Sequence, residues 1–289
     1  MNTLGVHALV WVGGWSHQEA ERAIVATART GFDLIEIPVL DPASVDTGST
    51  RALLEQHGLR AGCSLGLDLG ADISSGDPAV VMRGARRLAN ALTVTHALGA
   101  DYLGGVVYSA LAKYPQPSTS AGRANSVAAI RELASEASAH GIAVGLEVVN
   151  RYESNLLNTA EQAMAFIDDV GADNVVVHLD TYHMNIEETD FAAPVRTCGD
   201  RLGYVHIGES NRGYLGTGTV DFPQFFTALR EAGYTGTVTF ESFSSAVVHP
   251  SLSNMLAVWR NLWDDGHDLA AHALDYMRHG LAVPSSLQR

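Results

Sequence analysis

GIAVGLE (141–147) decides the fold: a glycine closes a helical stretch, and a short aliphatic run follows at once. The same phrase recurs as GFDLIEI (31–37), GADYLGG (99–105) and GYTGTVTF (233–240). Eight runs of this kind can be read along the chain: GVHALVWV (5–12), DLIEIPV (33–39), LRAGCSLGL (59–67), DYLGGVVY (101–108), AVGLEVV (143–149), NVVVHLD (174–180), GYVHIGE (203–209) and TGTVTFES (235–242). Their near-continuous β-branched and aliphatic character predicts strands buried on both faces. Helical patterns lie between them over 17–30, 78–98, 121–140, 160–170 and 223–232. Ser16 is an N-cap for the first, Asp77-Pro78 opens the second, and Gly31, Gly99, Gly141, Gly171 and Gly233 are stops. Eight strand–helix units predict an α/β protein, a single (β/α)₈ TIM-barrel domain over residues 1–289. An open doubly wound sheet would carry a glycine-rich fingerprint after its first strand, and Gly13-Gly14-Trp15 is not one. An extra C-terminal helix is expected at 267–281, and the tail VPSSLQR (283–289) is expected to be mobile.

Composition narrows the function classes. Hydrophobic residues make up 46 % and charged residues 17 % of the 289, as in soluble globular proteins. Lys and Arg number 18 against 32 Asp and Glu, a net charge of −14. That balance argues against nucleic acid and anionic membranes as partners, since both demand basic patches. No charged segment leads into a short apolar run with a cleavage site, and no run of about 18 apolar residues occurs, so neither a secretory leader nor a membrane span is expected. Cys63 and Cys198 are the only cysteines. Free buried thiols in a reducing cytoplasm are the reading that follows.

Barrel active sites form where the strands end. The fifth run reaches Glu147, the sixth ends in Asp180, the seventh carries His206 and the eighth reaches Glu241. Taken singly, a Glu near a strand end is commonly solvated and a strand His commonly a core residue. Four on consecutive strands at one rim make a candidate metal site. Three carboxylates and one imidazole suit a hard divalent cation, Mn²⁺ or Mg²⁺, with Co²⁺ or Zn²⁺ able to occupy it. Glu153, His183 and Arg212 follow the fifth, sixth and seventh strands. They suit the hydroxyl groups of a small polar substrate, although pattern alone favours surface loop roles for Glu153 and Arg212 and a structural hydrogen-bonding role for His183. Segment 109–120 is a long loop on the same side. Gly213, Gly216 and Gly218 read as a tight turn rather than a phosphate cradle. Trp259 and Trp263, four apart, are expected to share a helix face packed on the barrel or a subunit.

The motifs LEVVNRYE (146–153), HLDTYHMNIEE (178–188), HIGESNRGYLGTG (206–218) and FESF (240–243) resemble those of the ketose 3-epimerases, the D-tagatose, D-allulose and L-ribulose 3-epimerase group of the xylose-isomerase-like barrels. The resemblance runs from GVHALVW (5–11) to VWRNLW (258–263). It implies one divalent metal per subunit held by Glu147, Asp180, His206 and Glu241, with Glu147 and Glu241 also serving as the two acid/base carboxylates. It places Glu153, His183 and Arg212 on the substrate and Trp15 and Phe243 on an apolar wall. His7 falls at the sugar end remote from the metal, where some relatives carry an aromatic. It further implies a homodimer or homotetramer in the cytoplasm acting on a free ketose: D-fructose/D-allulose, D-tagatose/D-sorbose or L-ribulose/L-xylulose.

The chemistry agrees with that reading. A proton alpha to a ketone is weakly acidic, and a divalent cation on O2 and O3 would stabilise the cis-enediolate left when the C3 proton departs. Inversion then needs a base on one face and an acid on the other. An aldose–ketose isomerase, or another sugar or inosose enzyme of the same barrel, is the alternative. Hydride-shift isomerases call for a second metal site and a nearby lysine, and the only lysine is Lys113, in the 109–120 loop. An apurinic-site endonuclease would need more ligands and a basic face. A non-catalytic sugar-binding barrel would not need two carboxylates astride a metal.

Overall fold

Eight parallel strands close in chain order, with β1 paired to β8. The computed structural model describes residues 2–282. The strands are β1 (Thr3–His7), β2 (Leu34–Pro38), β3 (Arg60–Ser64), β4 (Tyr102–Gly104), β5 (Ala143–Glu147), β6 (Val175–Asp180), β7 (Leu202–Ile207) and β8 (Thr237–Phe240). The helices are α1 (His17–Thr30), α2 (Thr47–His57), α3 (Pro78–Leu98), α4 (Ser120–Ser138), α5 (Ala160–Val170), α6 (Thr181–Glu187), α7 (Ala193–Cys198), α8 (Phe222–Glu231), α9 (Pro250–Met255) and α10 (Gly266–Ala282). This is the (β/α)₈ barrel. Local chemistry sets the helix ends. The Glu19 carboxylate accepts from the Ser16 N–H at 2.9 Å and opens α1, while Asp77 caps α3 through the Ala79 N–H at 2.8 Å. Gly31 and Gly99, at φ +94° and +74°, stop the same two helices in a left-handed conformation open to glycine. No helix among the described residues is long and apolar enough to cross a membrane.

Strand alternation sorts the side chains into two sets. Outward positions such as Ile35, Ile37, Leu103, Val144, Val177, Val205 and Val238 are aliphatic and fully buried under the helices. Each such side chain contributes roughly 1.5–3 kcal/mol by leaving water. Inward positions are polar: His7, Glu36, Ser64, Glu147, His178, Asp180, Tyr204, His206 and Thr239 are all buried. The runs expected to be apolar on both faces therefore hold a polar interior, because alternation hides every second residue inside the barrel. Tyr102 and Tyr204 stack there at 4.0 Å between ring centroids. Gly104 and Gly145 leave the room: a Cβ at Gly145 would lie 2.0 Å from the Tyr102 hydroxyl.

The strands are shorter than their apolar runs. The first stops at His7, whose Nδ1 accepts from the Leu9 N–H at 3.2 Å and turns 8–10 into a 3₁₀ segment. The fourth stops at Gly104 because Gly105 stands at φ +101°. The shared helix for Trp259 and Trp263 is not formed. The helix α9 ends at Met255 and Ala257 sits at φ +53°, so Trp259 is 75 % exposed while Trp263 is buried. Residues 267–281 fall within α10, which packs against α1 and α8. The tail expected to be mobile lies outside the described residues. Cys63 and Cys198 are free and buried.

Gly145→Ala should destabilise the protein by about 1–3 kcal/mol in urea unfolding, the usual cost of overpacking. Gly76→Ala, where a Cβ meets nothing within 4 Å, should be close to neutral. Equal effects would show that the interior can yield around Tyr102.

Candidate metal centre and active site

Parity along the strands builds the centre. Glu147 ends β5, Asp180 ends β6, His206 is the next-to-last residue of β7, and Glu241 follows β8 directly. One side-chain ligand atom from each lies within 4.8 Å of all the others, and all four residues are buried. His206 Nδ1 lies 3.2 Å from Glu147 Oε1, 3.5 Å from Glu241 Oε1 and 3.9 Å from Asp180 Oδ2. Asp180 Oδ2 is buried with no hydrogen-bond partner.

Electrostatics show why the cluster suits a cation. Burial raises Glu147, helped by the like charges of Glu241 and Glu36 and opposed by His206. Burial likewise pushes Asp180 up to about 8 against the pull of Arg212 and His206. Burial also works against ionised Glu241, but His206, Arg212 and His7 bring it below the ordinary carboxylate range. Burial works against a charged His206 too, but Glu36, Glu241 and Glu147 outweigh it and hold its pKa well above the ordinary range. Like charges this close do not all ionise unaided. A hard divalent ion fits both the unpartnered oxygen and the donor set.

A cleft opens over this cluster. Glu147, His206 and Glu241 reach its floor, with Glu153, His183, Arg212, Phe243 and His7 around them. His183 Nδ1 accepts from the Asn150 N–H at 3.1 Å, so its proton sits on Nε2, the atom facing Asp180 and Glu153. Burial first, then Arg212 and His206, keep this ring neutral. Arg212 donates to Glu241 Oε2 at 2.7 Å, and its guanidinium lies 3.8 Å from the Tyr182 ring centroid. Its backbone is left-handed at φ +58°, held by Ser242 Oγ–H donating to its carbonyl at 2.6 Å. Burial pushes Glu153 up to about 7, and the weaker opposing influences are Arg212 and a hydrogen bond from Asn150.

Trp15 is the one expected contact that the structure does not bring to the cleft. It is buried in the main core, and Leu9, in the 3₁₀ turn after β1, lines the cleft. Lys113 also stays away from the cleft and lies 5.7 Å from the Tyr152 ring centroid. The 213–218 turn is no phosphate cradle, because Glu209 already accepts from the Gly216 and Val220 N–H groups. Sequence reasoning missed Glu36 and His178. Glu36 stands 2.8 Å from His206 Nε2, and His178 forms a second cluster with Glu147 and His206. The signal was present: each is an ionisable residue in an aliphatic run, two residues from an inward position.

The xylose isomerase-like TIM-barrel family model matches residues 24–279. An L-ribulose 3-epimerase from Methylomonas sp. is 55 % identical over 274 residues, covering 95 % of this chain and 96 % of the relative. The chain belongs to that family, in its ketose 3-epimerase group. A ketose 3-epimerase from Arthrobacter globiformis is 50 % identical, with 99 % of each chain covered. The solved structure of a Methylomonas sp. D-allulose 3-epimerase in complex with D-allulose is 54 % identical, covers 96 % of each chain and superposes with a TM-score of 0.95.

Glu153 gives a pH test of the cleft. Between the ordinary carboxylate pKa and about 7, the folded state keeps a proton that the unfolded state has lost. Its contribution is therefore present in acid and disappears as pH rises through 7, up to about 3 kcal/mol. Chelator-treated protein should lose stability to urea between pH 5 and pH 8, and Glu153→Gln should lose less. Parallel pH slopes would remove Glu153 as a buried acid.

Proposed function

We propose that Glu147 and Glu241 are the opposed base and acid in reversible epimerisation at C3 of a free ketose. C3 epimerisation of free ketoses is the activity of the group to which the chain belongs, and the chain is an isomerase. One observation carries the residue assignment. Two glutamates share a four-residue donor cluster and also reach the cleft that Arg212 and His183 line.

In this reading Glu147, Asp180, His206 and Glu241 hold the metal. A divalent cation there, Mn²⁺ or Mg²⁺ with Co²⁺ able to substitute, supplies Lewis-acid stabilisation of negative charge developing on the sugar oxygens. One glutamate removes the C3 proton from one face, the other returns a proton from the opposite face, and the roles exchange with direction. Arg212, already paired with Glu241, and the Nε2–H of His183 donate to the sugar oxygens. Glu153 accepts from a terminal hydroxyl. Phe243, with Leu65, Leu111 and Val149, gives the cleft apolar walls that exclude water from the reacting carbon. His7 and Ser64, 3.4 Å apart, meet the far hydroxyls, and the 109–120 loop contributes to substrate choice through Leu111. Trp15 is omitted from the substrate set.

The D-allulose bound in the Methylomonas structure and the L-ribulose in the name of the Methylomonas relative support D-fructose/D-allulose and L-ribulose/L-xylulose as substrate pairs, with D-tagatose/D-sorbose as a third. A cytoplasmic homodimer or homotetramer belongs to the same reading, and sedimentation would decide between the two.

Glu147→Gln and Glu241→Gln should each lower turnover by about 10²–10⁴-fold or more while ketose binding survives in part. Near-wild-type turnover in either variant would rule out the two-carboxylate scheme. With D-fructose in D₂O, NMR should show deuterium at C3 of the allulose formed. Glucose or mannose would instead indicate an aldose–ketose isomerase. Chelation should abolish turnover, and a ketose panel run after readdition of single metals would rank both substrate and ion.

A further inference from the structure

Glu36 is the lone acid in LIEIP, flanked by Leu34, Ile35 and Ile37. Alternation turns it into the barrel, where its exposure is 0 %. It is not among the residues that line the cleft. Its Oε2 lies 2.8 Å from His206 Nε2 and accepts from the Tyr204 hydroxyl at 2.8 Å. Both partners are on β7, across the interior from β2. Gly62 pairs with Glu36 in register, and a Cβ there would stand 3.3 Å from the Tyr204 hydroxyl, so glycine keeps that hydroxyl's place open. Thr239 Oγ1, 2.7 Å from the same hydroxyl, holds it from the other side.

A carboxylate can only accept, so the imidazole nitrogen facing it is the protonated one. With Nε2–H held on Glu36, Nδ1, which faces Glu147, Asp180 and Glu241, is the nitrogen whose proton a bound cation would replace. We propose that Glu36 is a positioning residue for the metal centre: through His206 Nε2 it fixes the tautomer and the ring plane that present Nδ1 as a ligand. The proposal rests on the four-ligand reading above and adds a fifth residue outside the ligand shell. Carboxylates in this relation to a ligating histidine set metal affinity, and losing one usually weakens it about 10–100-fold. The Tyr204 hydroxyl and His206 Nε2 both meet the same carboxylate oxygen, Oε2. A glutamine fills the same space: with its NH2 at that position it donates to Nε2, moves the ring proton to Nδ1, where it blocks ligation, and loses the hydrogen bond from Tyr204; with its oxygen there it keeps both contacts without the charge.

The test is Mn²⁺ binding to chelator-stripped full-length protein, read from the free-Mn²⁺ EPR signal. Glu36→Gln should weaken binding about 10–100-fold while thermal unfolding of the metal-free protein shows a folded barrel. Nitrogen-15 NMR of the Mg²⁺-loaded protein should show a protonated Nε2 on His206 in the wild type. Glu36→Leu, which removes the acceptor, should bind at least as weakly as Glu36→Gln. Wild-type Mn²⁺ affinity in folded Glu36→Gln would overturn the proposal, as would an unprotonated His206 Nε2 in the loaded wild type. Asp180→Asn separates this from the parent reading. If that variant bound Mn²⁺ like wild type, the four-ligand set would fail, whatever Glu36 does.

Discussion

Too much negative charge in too little space shapes the upper interior of this barrel. Glu36, Glu147, Asp180 and Glu241 surround one imidazole, and all five side chains are buried. Arg212 brings a full positive charge to the cluster, bound to Glu241. Burying unpaired ions costs several kcal/mol each even after relaxation. Protein groups therefore relieve the strain unevenly, pulling Glu36 and Glu241 below the ordinary carboxylate range while burial pushes Glu147 and Asp180 above it. The donor set of Glu147, Asp180, His206 and Glu241 fits a divalent cation.

The rest of the interior accommodates that cluster. Stacked tyrosines at positions 102 and 204 fill the space beneath it, and the missing side chains of Gly62, Gly104 and Gly145 make their room. Tyr102 meets His178 Nδ1 at 2.9 Å, Tyr204 meets Glu36, and His178 packs edge-on against His206. The layer is held by directed contacts, which specify positions more sharply than aliphatic packing would. Above the cluster the chemistry changes to substrate-facing donors: a neutral His183 aimed by Asn150 and an Arg212 held in a left-handed turn.

Arg212 shows how strongly the loops depend on that framework. Its backbone conformation is unfavourable for a residue with a side chain. It persists because Ser242, held in turn by the indole N–H of Trp263 at 2.9 Å, binds its carbonyl, while Glu209 collects the N–H groups of the surrounding turn. Trp263 thus has a buried structural task, and its sequence neighbour Trp259, expected on the same helix face, is left in solvent.

The eight strands, the helix stops and the four donors Glu147, Asp180, His206 and Glu241 were legible in the sequence, because hydrophobic period, glycine after a helix and polar residues at strand ends are local signals. Glu153, His183 and Arg212 were legible as polar residues just past those strands. Glu36 carried a local signal, an acid in an aliphatic run, but its partner did not. Glu36 sits on the second strand and acts on the seventh, a contact that exists only because the sheet closes. Trp15, which the resemblance places on an apolar wall, is buried in the main core and is not among the residues around the cleft, whereas Leu9 is. Strand order and periodicity are properties of the chain taken segment by segment. Which inward side chains meet across the barrel, and how their charges balance, depends on register and closure, which only the folded structure decides.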